Sequence, residues 1–186
     1  MLYDNVNVND STIKTEIESW FEKNLLNYEK YLEDTIFCND RSIYELGGWN
    51  QDGGKISSML YFYSSDKRDL TCKNESDRFT KYPENGNGKL KYPVGLLTVT
   101  EAVQGAMASN NNKNYLDANI DYWLSSPYYF AYLDSTKIYL FEDYKIDNED
   151  VDRKKAIRPV ISLKPGMEYS SGNGTVTNPY IVNLDN

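Results

Sequence analysis

The sequence predicts an α+β domain of two helices, short antiparallel strands and much irregular loop. Three observations carry that prediction. Residues 11–32 repeat apolar side chains at spacings of three and four. Thr98-Val99-Thr100-Glu101 has the form of a capping box, so a second helix opens there. From Tyr115 onward no helical period holds, and strand-length runs alternate with turn residues. The 186 residues make one domain of ordinary size, with a core over about 10–183. A chain of that length buries about two-thirds of its unfolded surface, so it is expected to need no metal or disulfide scaffold to fold.

The elements follow in order. In "STIKTEIESWFEKNLLNYEKYL", Ile13, Ile17, Trp20, Phe21, Leu25, Tyr28 and Leu32 form one helical face, with Asp10 or Ser11 as its cap. Thr35 to Cys38 suits a short buried strand, and "CNDRS" turns after it. "GGWNQDGG" (47–54) is a surface loop that lacks the glycine order of a phosphate cradle. "KISSMLYFYSS" (55–65) suits a strand, and residues 69–90 are mostly loop. "KLKYPVGLL" is expected as a strand before the helix "VTEAVQGAMA" (99–108), which ends at "SNNNKN". The later runs are "DYWLSSP", "YYFAYLD", "KIYLFED", "AIRPVISL" and "NPYIVNL". Pro159 puts its run at an edge or bulge, and "SSGNGT" (170–175) is a turn.

Composition narrows the function. The net charge of −8 gives no basic footprint for nucleic acid and disfavours an anionic membrane surface. There is no histidine, which removes His-based triads and His-ligated metals. No cofactor is expected. No run reaches the eighteen apolar residues of a membrane span, and there is no signal-peptide pattern. The chain is therefore read as cytosolic or as a piece of a longer exported protein. Cys38 and Cys72 are either two buried thiols or one disulfide closing a loop of about 35 residues, which stabilises by roughly 4 kcal/mol.

Residues 122–144, "YWLSSPYYFAYLDSTKIYLFEDY", hold six of the seventeen tyrosines. Tyrosine and tryptophan give rigid amphipathic contact area with few torsions to freeze, so they enrich recognition surfaces. Tyr122, Tyr128, Tyr129, Tyr132, Tyr139 and Tyr144 are the expected ligand-binding residues, with Tyr128, Tyr129 and Tyr132 the best placed for solvent. In a strand half the rings point inward, and Trp123 and Leu124 are expected in the core. "DNEDVD" (147–152) has four carboxylates but lacks the glycine and terminal Glu of a calcium loop, so it is read as a solvated acidic loop. Arg41, Arg78 and Arg158 are expected to bind acids or loop carbonyls. No carboxylate pair for hydrolysis stands out among 28 acids.

Six segments in order carry a resemblance: residues 11–42, "DRFT", "GNGKLKYPVGLLTVTEA", "YWLSSP", "IRPVISL" and "SGNGTVTNPYIV". Together they resemble a family of uncharacterised ectodomains in large surface and pilin-like proteins of Gram-positive bacteria. That family is similar to the C-type-lectin-like fold in the variant of formylglycine-generating enzymes and of diversity-generating retroelement variable proteins. The resemblance implies residues 122–150 as the binding face, between "YWLSSP" and "IRPVISL". It also implies an extracellular or cell-surface location, with signal and anchor outside this chain. The enzyme branch uses a late cysteine pair; Cys38 and Cys72 come early, so its chemistry is not implied. Ala156-Ile157 also stands where the family has glycine before Arg-Pro. The expected function is a non-catalytic module that binds a glycan or protein through a tyrosine-rich face. The alternatives are a spacer domain and a carboxylate-based hydrolase.

Overall fold

A computed structural model describes residues 9–42, 54–55, 70–107, 116, 119–130, 136–142, 145–175 and 177–184. Among them are two α-helices, α1 (Thr12–Asn24) and α2 (Val99–Met107), and ten short strands. The described architecture is α+β, and its strand pairs are antiparallel.

Ser11 caps α1 by accepting the Lys14 N–H at 3.1 Å, while Asp10 binds the Lys14 ammonium instead. The α-helix stops earlier than its apolar spacing predicts. Leu25 leaves the helical region and residues Leu26–Tyr31 continue as a 3-10 helix. The face divides accordingly. Ile17, Phe21 and Leu32 are buried, but Trp20 and Tyr28 are exposed.

A four-stranded sheet forms the centre, in the order β3 (Gly54–Lys55), β5 (Tyr122–Phe130), β6 (Lys137–Glu142), β7 (Lys145–Asp150). Strand alternation sends successive side chains to opposite faces. Trp123 and Leu140 join Ile17 and Phe21 of α1 in one core, with Ile138 packed against it. Tyr122, Leu124, Tyr139 and Phe141 join Val99, Ala102 and Val103 of α2 in the other. The sheet thus has a helix over each face. The acidic stretch read as a loop is strand β7 up to Asp150. It is an edge strand, and Lys145, Asp147, Glu149 and Asp150 on it discourage pairing with another chain.

Three two-stranded ribbons surround the sheet. They pair β1 (Leu32–Glu33) with β8 (Ser162–Leu163), β2 (Phe37–Cys38) with β4 (Arg78–Phe79), and β9 (Tyr169–Ser171) with β10 (Ile181–Val182). "DRFT", expected within a loop, supplies β4. "KLKYPVGLL" buries Leu90, Tyr92, Val94 and Leu96, an alternation that the equally buried Pro93 interrupts, and its one bridge among the described residues joins Gly95 to Val160. Pro93 has no N–H to give a ladder. Most of the "KISSMLYFYSS" segment lies outside the described residues.

The capping box forms as expected. Glu101 Oε2 accepts the Thr98 N–H at 2.7 Å, and Thr98 Oγ1 accepts the Glu101 N–H at 3.1 Å. The two serines of "YWLSSP" fasten α2 to the sheet. The Ser126 hydroxyl accepts the Val99 N–H at 2.9 Å, and the Ser125 N–H donates to the Leu97 carbonyl at 2.8 Å. That diversion, with Pro127, breaks the β5–β6 register. Lys155 holds Asp121 at 2.9 Å and Glu142 at 3.4 Å, clipping the start of β5 to the end of β6. Its hydrogen bond holds the Asp121 carboxyl below the usual carboxylate range.

Candidate functional site

The strand pattern decides the fate of the predicted tyrosines. Tyr122 and Tyr139 are 1% and 2% exposed, which corrects the expectation that they form a ligand face. Both point toward α2, because residues at alternate positions of β5 and β6 share that face. The Tyr122 hydroxyl donates to the Leu116 carbonyl at 2.8 Å, and its ring stacks on Phe141 at 5.4 Å. Tyr139 meets Tyr128 edge-on at 5.1 Å. Tyr128 and Tyr129 are half-buried, and Tyr129 lies between Lys55 and Lys137 in the sheet. Tyr132 and Tyr144 lie outside the described residues. Trp123 and Leu124 are in the core as expected.

The same stretch nevertheless walls a cleft with its other residues. A cleft of about 560 Å³ opens between the start of α1, the β2–β4 ribbon and the β5–β6 face. Phe37, Phe79, Leu96, Trp123, Pro127 and Ile138 give it an apolar lining. Its volume falls within the usual range of ligand pockets. The alternation that hides Tyr122 and Tyr139 turns Trp123 and Ile138 this way.

Charged groups stand at the rim, and they bind one another. The Lys14 ammonium lies 2.9 Å from Asp10 and 3.1 Å from Glu18. Burial opposes its charge, but the hydrogen bonds to those two carboxylates outweigh it and hold the amine above its ordinary value. Arg41 Nε donates to Asp77 Oδ1 at 2.7 Å, and Asp77 also accepts the Arg41 N–H at 3.1 Å. Asp77 is 1% exposed, so Arg41 is the counter-charge that lets it stay there. Asp10 and Glu18 thus share one ammonium.

The disulfide alternative for the cysteines is realised: Cys38 and Cys72 are joined, with Cα atoms 5.6 Å apart. The bond ties β2 to the segment ahead of β4. All three arginines play the expected structural parts. Arg41 binds Asp77, Arg78 Nε donates to the Cys72 carbonyl at 2.7 Å, and Arg158 donates to the Leu116 carbonyl. The carboxylates of β7 do not converge. Asp147 and Glu149 alternate with Asn148 and Asp150 across the sheet. No group of three or more metal-ligating side chains occurs among the described residues. Nor is any described helix long and apolar enough to cross a membrane.

Sequence reasoning missed two features. Phe37 and Phe79 reach the cleft only through the β2–β4 pairing, a contact between distant segments. Tyr169 and Tyr180 are 62% and 54% exposed on the β9–β10 ribbon. Their signal was present: two tyrosines flank a Gly-Asn-Gly turn in a nearly uncharged stretch.

Compared with family profiles, curated proteins and solved structures, the chain matches none.

Proposed function

We propose that this chain is a non-catalytic binding module of an exported bacterial surface protein, with a glycan or protein as its ligand. The cleft carries the reading: an open hollow with an aromatic and aliphatic lining, whose rim holds Lys14 paired with Asp10 and Glu18 and Arg41 paired with Asp77. Such a lining gives affinity through area and shape and offers no poised acid or base. The disulfide supports export, because such bonds persist in oxidising compartments. Two helices, short antiparallel strands and long irregular connections agree with the C-type-lectin-like arrangement, which we keep as part of the proposal. Residues 122–150 supply part of the proposed binding face through Trp123, Pro127 and Ile138, and Phe37, Phe79 and Leu96 supply the rest.

A second reading, a spacer domain, is favoured by the burial of Tyr122 and Tyr139. Tryptophan emission separates the two. Trp123 lines the cleft, whereas Trp20 sits on the outer side of α1 and is 37% exposed. With the third tryptophan, Trp49, replaced by Phe throughout, surface glycans or proteins shift the emission of the Trp20→Phe/Trp49→Phe variant and not that of Trp49→Phe/Trp123→Phe if the chain is a binding module. If a broad ligand screen leaves wild-type emission and melting temperature unchanged, the spacer reading replaces this one.

A further inference from the structure

Among the described residues no helix lies over the β9–β10 ribbon. Tyr169, Ser170, Ser171, Thr177, Asn178, Tyr180 and Ile181 are all exposed. An isolated two-stranded ribbon is marginal in water, yet this one is built stiffly. The Asn173 side chain accepts from the Thr175 N–H at 3.2 Å and from its hydroxyl at 2.8 Å. The Asn178 N–H then closes the turn onto Thr175 Oγ1 at 3.1 Å. Gly174 has φ +78°, and a Cβ there would stand 2.7 Å from the Tyr180 ring. The glycine therefore leaves room for that ring against the turn, where it packs beside Tyr169 with centroids 4.6 Å apart and planes at 50°.

From Lys164 to Leu184 the only charged residues are Lys164 and Glu168, in a chain of net charge −8. An ionic ligand finds little counter-charge on this surface. What is offered is ring face, hydroxyl and amide, the mixture that enriches antibody recognition loops. The ribbon from Tyr169 to Val182 spans 14 residues, short of the roughly 20–30 that one side of a stable protein interface uses. A sugar ring is smaller and chemically matched: C–H groups on its faces meet tyrosine rings, and its hydroxyls meet Ser, Thr and Asn.

We propose that the Tyr169–Tyr180 pair on the β9–β10 ribbon is a contact site for a neutral oligosaccharide. This deepens the binding-module reading and rests on it. The test is an array of neutral and acidic oligosaccharides, followed by titration calorimetry of the neutral sugars it returns. Wild type, Tyr169→Ala/Tyr180→Ala and Tyr169→Phe/Tyr180→Phe are compared, with matching urea midpoints as the control for folding. The expected result is neutral-sugar binding that weakens at least about tenfold in the Ala pair and survives in the Phe pair. Binding that is equal in wild type and the Ala pair overturns the site, as does selection of acidic sugars. If no sugar binds while a protein ligand shifts Trp123 emission, the ribbon site falls and the module stands. If neither responds, both fall.

Discussion

Tyr122 and Tyr180 are the same residue in opposite circumstances. Tyr122 lies on a sheet face that α2 covers, with its ring on Phe141 and its hydroxyl on a carbonyl. Tyr180 lies on a ribbon that no helix covers among the described residues and is 54% exposed. Strand neighbours do not separate them, since each is followed by apolar residues, Trp123-Leu124 in one case and Ile181-Val182 in the other. What separates them is a distant element that covers one strand and not the other. A tyrosine-rich stretch is thus no contact surface by composition alone; the covering layer decides.

The broadest test of that contrast is truncation on the covered side. Tyr122→Ala should cost about 3–5 kcal/mol, the usual range for an aromatic side chain deleted from a core. Urea unfolding followed by circular dichroism reads it. A loss below about 1 kcal/mol would mean that α2 does not seal this face. Next comes the disulfide, which lies in the compact half and spans 34 residues of sequence. Cys38→Ser/Cys72→Ser should lose about 4 kcal/mol in the chain-entropy account. An unchanged urea midpoint under reducing conditions would show that the bond contributes no net stability.

How far the sequence revealed this contrast depends on the element. The start of α1 and the whole of α2 were readable, because Ser11 and the Thr98–Glu101 box act on amides three residues away. The end of α1 was not. Tyr28 and Leu32 keep the apolar spacing through a 3-10 turn that the same period fits. The strand expected at "KLKYPVGLL" had the right alternation, but burial and pairing parted company at Pro93. The acidic β7 was hidden for the converse reason: an edge strand keeps its ladder on one side while its side chains carry charge. The cleft was invisible because Phe37, Phe79 and Trp123 meet only through tertiary contacts. In the aromatic stretch the rule that half the rings face inward fails, because each face of the sheet has a helix over it and the consecutive Tyr122, Trp123 and Leu124 are all buried.

A smaller effect probes the element that does the covering. Thr98→Ala removes the hydroxyl that accepts the Glu101 N–H and frees the Glu101 carboxylate from half of its partnership. The loss should be about 1 kcal/mol, typical of a helix cap. Amide exchange should quicken in the first turn of α2 and in the facing residues of β5 and β6, while the β9–β10 ribbon keeps its rate. Equal quickening in both places would mean that the ribbon and α2 unfold as one unit.

The smallest effect lies on the uncovered side. Tyr180→Ala removes a ring that is more than half in water and touches Tyr169 and Gly174. Exposed substitutions away from special backbone features usually change stability by no more than about 0.5 kcal/mol. The turn hydrogen bonds of Asn173, Thr175 and Asn178 do not involve the ring, so the hairpin should keep its form. Set beside Tyr122→Ala in the same urea series, the two tyrosines should differ several-fold in cost. If Tyr180→Ala instead destabilised the chain by 2 kcal/mol or more, the ring would be acting as core. The ribbon would then belong with the covered half, and its tyrosines would have no claim to a separate task.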